Sequence, residues 1–155
     1  MASARENDLN PNTYIGLSFP LRKDSTNDFR LTKNSLEQSR HNLRNLLLTN
    51  KGERVGQPEF GSDLRILCFE QINDELPVNI EEEVRRATGV WLPYINIQEV
   101  NTLTEEGDKN KIFVEVKFST TLNPQTMESI TMDASYGAYR YRQRYVSSDG
   151  FEYRR

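Results

Sequence analysis

Lys111-Ile112-Phe113-Val114-Glu115-Val116-Lys117-Phe118-Ser119-Thr120 is the stretch on which the fold turns. Ile112, Val114, Val116 and Phe118 recur at every second position, and Glu115 and Lys117 stand between them. Successive side chains of a strand point to opposite faces, so this pattern predicts a strand with one face in a core and one in water. Such a strand needs partners, and its flanks supply them. Upstream, residues 94–103 carry Ile95 and Ile97 in alternation and then Val100 out of phase, which predicts a bulge. Residues 105–110 (Glu-Glu-Gly-Asp-Lys-Asn) read as the hairpin loop between the two strands. Downstream, Asn123-Pro124-Gln125 turns the chain, and residues 128–134 put Ile130, Met132 and Ala134 on one face.

The segments before these strands have helical spacing. Residues 35–49 place Leu36, Leu43 and Leu47 along one face with Leu46 beside them. Asn34 and Glu37 stand at capping-box spacing, so each can satisfy a backbone donor left free at the helix start. Gly52 can take the left-handed conformation that stops the helix. Residues 53–61 form a loop marked by Gly56, Pro58 and Gly61, and a short helix over 62–70 buries Leu64, Leu67 and Cys68. Pro77 opens a second long helix, where its missing N–H costs little. Ile80, Val84, Ala87 and Trp91 form its apolar stripe; Glu81, Glu82, Glu83, Arg85 and Arg86 read as its water-facing side, with the acids toward the positive end of the helix dipole. The coarse order α-α-α-β-β-β predicts an α+β fold, with helices packed on one face of a small antiparallel sheet.

Before the first helix the chain is less regular. Residues 1–13 are polar and read as an arm, mobile or bound to a partner. Residues 14–20 are the first apolar patch, residues 24–28 a turn cluster, and Phe29-Arg30-Leu31 a very short strand.

Composition narrows the function. The 155 residues are 35% hydrophobic, with a mean hydropathy of -0.75. That is enough for one domain with a core, but lean, as expected of a chain whose tails and surfaces await partners. Net charge is -3, which argues against a general nucleic-acid binder. A single cysteine, Cys68, rules out an internal disulfide, argues against a cysteine-based metal site, and suits a reducing cytosol. The N-terminus shows no signal peptide, and no apolar run reaches the roughly 20 residues needed to cross a bilayer.

No catalytic constellation stands out. His41, the one histidine, lies between Arg40 and Arg44 and reads as a solvated residue rather than a base. Glu53, Glu59 and Asp63 could be taken for glycosidase carboxylates, but a chain with 23 acidic residues supplies such sets by chance. Gly52, Gly56 and Gly61 lack the Gly-Lys-Ser/Thr ending of a phosphate loop. Trp91 reads as core. No catalytic, cofactor or metal residues are assigned.

One run is distinctive: Leu46-Leu47-Leu48-Thr49-Asn50-Lys51-Gly52-Glu53-Arg54-Val55-Gly56-Gln57-Pro58-Glu59-Phe60-Gly61-Ser62-Asp63-Leu64, followed by Cys68-Phe69-Glu70. It resembles the signature of the baseplate wedge family of contractile phage tails, which includes the wedge subunit of type VI secretion baseplates and whose members are often labelled "lysozyme". Gly16-Leu17-Ser18-Phe19-Pro20 resembles the family's opening, with Leu17 in place of the usual aromatic. Trp91-Leu92-Pro93-Tyr94-Ile95 resembles its junction from helix to first strand. The resemblance covers roughly residues 14–135.

The resemblance implies a virion protein, made in the host cytoplasm and arranged as a ring of copies in the baseplate. Its sheet would match that of the strand-exchanging domain of tail sheath proteins, and it would start sheath assembly by strand addition. The implied partners are the sheath protein, other wedge proteins, and hub, spike or tube proteins. Glu53, Arg54, Pro58, Glu59, Phe60 and Gly61 are then interface candidates, with Glu53-Arg54 read either as a charge pair at a partner junction or as a local pin of the loop.

The tail departs from the family pattern. Residues 136–155 carry a charge of +3, against -6 for the rest, and Tyr139, Arg140, Tyr141, Arg142, Arg144 and Tyr145 alternate aromatic with cation. Such a segment can stack on single-stranded bases, or lie across a neighbouring subunit as a strand; the latter is the favoured reading. The expected organisation is an arm over 1–13, a wedge domain over 14–135 and a Tyr/Arg-rich extension over 136–155. The competing functional readings are a peptidoglycan hydrolase and a nucleic-acid module working through the tail.

Overall fold

A computed structural model describes residues 4–68, 73–105 and 108–133. The elements run α1 (Ala4–Leu9), β1 (Gly16–Leu17), β2 (Leu31–Thr32), α2 (Ser35–Leu48), α3 (Leu64–Leu67), α4 (Leu76–Trp91), β3 (Ile95–Glu105), β4 (Asp108–Thr120) and β5 (Glu128–Asp133). The last three form one antiparallel sheet in the order β3-β4-β5, and β1 pairs with β2 in a separate two-stranded piece.

The α+β expectation holds. Ile112, Val114, Val116 and Phe118 of β4 are buried, with Ile130 and Met132 of β5 and Ile95 of β3 on the same side. Leu43, Leu46 and Leu47 of α2 and Ile80, Val84 and Ala87 of α4 close over them in one core, which Leu64 of α3 joins. Fully burying each such side chain contributes about 1.5–3 kcal/mol, so this layer supplies most of the stabilisation. The bulge lies where Val100 predicted it. Ile97 faces Phe118, the register slips, and Glu99 then faces Lys117 while Val100 faces Val116. Without the slip, Glu99 rather than Val100 would stand opposite Val116 and be carried toward the core.

Asn34 caps α2, its side chain accepting the Glu37 N–H at 2.7 Å. The reciprocal half of the capping box gives way to other contacts: the Glu37 carboxylate lies 3.8 Å from Arg30 and 4.0 Å from His41. Gly52 has the expected positive φ, 87°.

Several expectations need correction. The chain forms α1 within the segment read as an arm, and the Asp8 carboxylate accepts hydrogen bonds from the Ser35 N–H and hydroxyl at the start of α2. The very short strand read over 29–31 is β2, shifted to Leu31–Thr32, and it pairs with β1 within the stretch read only as an apolar patch. The strands of the β3–β4 hairpin run to Glu105 and from Asp108, so the connection is tighter than the loop read over 105–110. Helix α3 spans only Leu64–Leu67. Glu83 is buried, not water-facing, because residues 80, 83, 84 and 87 share one side of α4. The first turn of α4 holds no acid and its last turn no base, so the dipole argument fails there. His41 is not solvated: its side chain is 14% exposed, and Nδ1 lies 2.8 Å from the Phe19 carbonyl oxygen.

Candidate interaction site at the Gly52–Gly61 loop

The distinctive run folds into a compact loop whose ends meet. Asn50 and Ser62 form a parallel bridge, the Ser62 N–H donates to the Thr49 carbonyl at 2.9 Å, and the Ser62 hydroxyl donates to the Leu47 carbonyl at 2.9 Å. Within the loop, the Gly52 N–H donates to the Pro58 carbonyl at 2.8 Å, Gln57 N–H to Arg54 at 3.0 Å and Phe60 N–H to Gln57 at 3.0 Å. Gly61 sits at φ 126°, and a Cβ there would meet the Thr49 carbonyl oxygen far inside van der Waals contact. Only glycine closes the loop this tightly.

The named side chains divide into those that build the loop and those that face outward. The Glu53 carboxylate turns back on Asn50, accepting from its N–H at 3.1 Å and its side-chain amide at 2.6 Å. The Arg54 guanidinium lies over the Phe60 ring, 4.2 Å from its centroid. Phe60 in turn meets Trp91 edge-on, with centroids 5.3 Å apart. Glu53 and Arg54 thus each find a different local partner, and the pin on Arg54 is a ring, not the carboxylate expected. Trp91 is half-buried and holds the loop through Phe60. Pro58 and Glu59 are exposed, and Val55 at the loop's apex is fully so.

A charge network fixes the loop to α4, and sequence reasoning missed it. Buried Glu83 accepts the Asp63 N–H at 2.7 Å. Arg86 grips the same carboxylate with two bonds, Nε at 2.7 Å and Nη2 at 2.6 Å. Lys51 forms an ion pair with Asp63, and its Nζ lies 3.8 Å from Glu83. Burial by itself would raise the Glu83 carboxyl, but the Arg86 and Asp63 hydrogen bonds and the charges of Arg86 and Lys51 outweigh it and hold the group below its ordinary range. Arg86 is raised mainly by its bond to Glu83, against partial burial. The signal was available: a glutamate three residues after Ile80 and four before Ala87 lies on the apolar stripe and must have a partner.

This arrangement is suited to presenting a rigid surface. A glycosidase acid needs a carboxyl held above its ordinary range, whereas Glu83 is held below it and Glu53 and Asp63 are engaged with Asn50 and Lys51. Among the described residues, no group of three or more His, Cys, Asp or Glu side chains could hold a metal ion, and no helix is long and apolar enough to cross a membrane. The tail residues Tyr139, Arg140, Tyr141, Arg142, Arg144 and Tyr145, like Phe69 and Glu70 of the run, lie outside the described residues.

Known proteins resemble this chain in sequence or in fold. The family profile for "Baseplate wedge protein gp25" matches residues 34–125. The baseplate wedge protein gp25 of Enterobacteria phage T4 is 31% identical over 97 residues, which cover 63% of this chain and 73% of that protein. Among solved structures, a Geobacter sulfurreducens protein described as a tail lysozyme aligns with a TM-score of 0.62 at 23% identity, over 71% of this chain and 98% of its own. A chain of the anti-feeding prophage baseplate aligns with a TM-score of 0.53 at 19% identity, over 80% and 86%. A chain of the postcontracted pyocin R2 baseplate aligns with a TM-score of 0.51 at 19% identity, over 64% and 97%.

Proposed function

The chain belongs to the family of baseplate wedge protein gp25, a structural component of contractile-tail baseplates, and from that premise we propose that it is a non-enzymatic joint between the wedge scaffold and the first sheath subunits. Two surfaces share the work. The loop bearing Glu53, Arg54, Pro58, Glu59, Phe60 and Gly61 binds neighbouring wedge proteins. The three-stranded sheet takes an incoming sheath strand at an edge.

The observation that carries this reading is the sheet itself. Among the described residues β3 and β5 are each paired on one side only, with β4 between them. The outward N–H and C=O groups of an edge strand need partners, and a strand from another subunit supplies them with backbone hydrogen bonds. A fixed edge lowers the entropic cost of that docking. The wedge domain of this scheme is residues 14–135, and the Tyr/Arg-rich extension over 136–155 lies across a neighbouring subunit.

Mixing the purified chain with its wedge and sheath partners, and imaging sheath growth by electron microscopy, tests the proposal. Sheath should start on complexes containing the chain and not on those lacking it. The Glu53→Ala/Arg54→Ala double variant should incorporate poorly, and normal incorporation would remove the loop from the interface. Deleting residues 136–155 tests the extension in the same assay. Lysis of a peptidoglycan suspension by the purified chain would overturn the non-enzymatic reading.

A further inference from the structure

The segment preceding the family match forms a surface that neither the loop nor the sheet edge uses. From Ser18 to Arg30 the chain is a nested hairpin: Ser18 N–H donates to Arg30, Arg30 N–H to Arg22 at 2.8 Å, and Asp24 N–H to Asp28 at 2.7 Å. Asn27 closes the turn at φ 68°. The hairpin is anchored to α2 through the Thr32 hydroxyl, which donates to Gln38, and through His41 at the Phe19 carbonyl. It is therefore a built feature with fixed geometry.

Its outer side is unusually apolar for a surface in so polar a chain. Tyr14, Ile15, Leu17, Leu21, Phe29 and Leu31 are all exposed, with Tyr14 at 57% and Phe29 at 56%. A patch of this kind on a lean protein marks a contact. Tyr14, Phe29 and Leu31 line a concavity of about 620 Å³.

The charge around the concavity says what kind of contact. Arg22, Lys23, Arg30 and Lys33 line it, against Asp24 and Asp28. The Asp24 carboxylate is occupied locally, accepting the Ser25 N–H at 2.6 Å. Lys33 lies over the Tyr14 ring at 5.3 Å, and Arg30 leans toward Glu37 at 3.8 Å. The Arg22 guanidinium has no ion-pair partner among the described residues. In a chain of net charge -3 this is a local excess of cations beside exposed aromatics.

The geometry points to a docking groove for an acidic, apolar-bearing polypeptide segment of another baseplate protein. Aromatic and aliphatic side chains of the partner would pack on Phe29, Tyr14 and Leu31, and its carboxylates would meet Arg22 and Lys23, whose Nζ otherwise donates to the Asn27 side-chain oxygen at 2.9 Å. Complementary charge sets the register and speeds encounter, and Tyr14, Phe29 and Leu31 give apolar contact within a lining that is otherwise polar. Nucleic acid fits less well, because it offers nothing to cover the exposed aliphatic side chains of Leu21 and Leu31, and because the chain as a whole is net -3.

The test uses the full chain in assembled tails, with the photo-crosslinker p-benzoylphenylalanine in place of Phe29 and, in a second sample, in place of Leu31. Irradiation followed by mass spectrometry should join both positions to one segment of another tail protein in which carboxylates outnumber cations. The Arg22→Glu/Lys23→Glu variant should cut that crosslink at least fivefold with an unchanged melting temperature. Crosslinks to a neutral or basic segment, to DNA or to a second copy of this chain would overturn the proposal. So would the absence of any crosslink in tails that contain the protein, or a yield insensitive to the charge reversal. A crosslinker in place of Val55 reads the loop in the same particles, so failure of the groove is separable from failure of the loop interface.

Discussion

The Glu83 carboxylate, on the buried side of α4, accepts the backbone N–H of Asp63 at 2.7 Å, and through that bond a helix holds the far end of the Gly52–Gly61 loop. Glu83 is 9% exposed, and the charge is tolerable there because Arg86 binds it twice and Lys51 stands nearby. Position of the loop and stability of the core are thus coupled at one side chain.

Replacing Glu83 tests that coupling. Glu83→Ala leaves the Asp63 N–H and the Arg86 guanidinium without their acceptor and should cost about 2 kcal/mol, less than a fully buried pair because Arg86 is partly solvated. Urea unfolding measures it. The pH dependence has a definite sign. The folded group titrates below its ordinary value of 4.5, so its contribution is complete above that pH and is lost as pH falls through the lowered folded value. Glu83→Gln should flatten the acid limb of the stability curve relative to the parent, and an identical limb in both proteins would count against the network.

His41 makes a second, separate pH prediction. Burial lowers its pKa below 6.5; the hydrogen bond to Phe19 and the Glu37 charge oppose the shift, and Arg40 and Arg44 reinforce it. The neutral ring is the form the fold prefers, so its contribution is present above pH 6.5 and declines as pH falls through the folded value. His41→Gln should remove that slope. The Nδ1–H that donates to the Phe19 carbonyl is kept when the ring is protonated, so the loss at low pH comes from burying the charge beside Arg40 and Arg44 and not from breaking the bond to the hairpin.

These two residues also mark where sequence reasoning stopped. The period-two run in β4 and the out-of-phase Val100 revealed the sheet and its bulge, because both follow from which face is buried. The leucines of α2 and the stripe of α4 revealed the helices for the same reason. Glu83 and His41 were misread because charge was taken for exposure; helical spacing put Glu83 on the apolar side, and His41 needed a contact from a segment 22 residues away. In the hairpin of residues 14–32 the turn cluster and a very short strand near Leu31 were legible, but the partner strand Gly16–Leu17 is too short to carry a period. The loop motif was legible as a signature, yet its supports Lys51, Asp63, Glu83 and Arg86 come from three places in the chain and converge only in space.

The stack of Arg54 on Phe60 and Phe60 on Trp91 can be read optically, since Trp91 is the only tryptophan. Phe60→Leu should shift Trp91 emission to the red by opening its half-buried ring to water, and cost about 1 kcal/mol from the lost ring contact. Arg54→Ala should leave the emission nearly unchanged, because Arg54 touches the other partner of the pair. Steady-state fluorescence with urea unfolding separates the two.

Gly52 and Gly61 give the last prediction, an ordering that no composition argument supplies. Both have positive φ, 87° and 126°, so alanine is strained at either. A Cβ on Gly52 meets nothing within 4 Å, and Gly52→Ala should cost about 1 kcal/mol, with the loop intact. A Cβ on Gly61 runs into the Thr49 carbonyl oxygen, which is also the acceptor for Ser62. The loop cannot close around that contact, so Gly61→Ala should cost about 3 kcal/mol or more and free the amide of Ser62 to exchange. Urea unfolding of the two variants side by side, with exchange at Ser62, checks the order. Equal costs would mean that the loop relaxes away from Thr49, and the rigid presentation of Glu53, Arg54 and Pro58 would lose its physical basis.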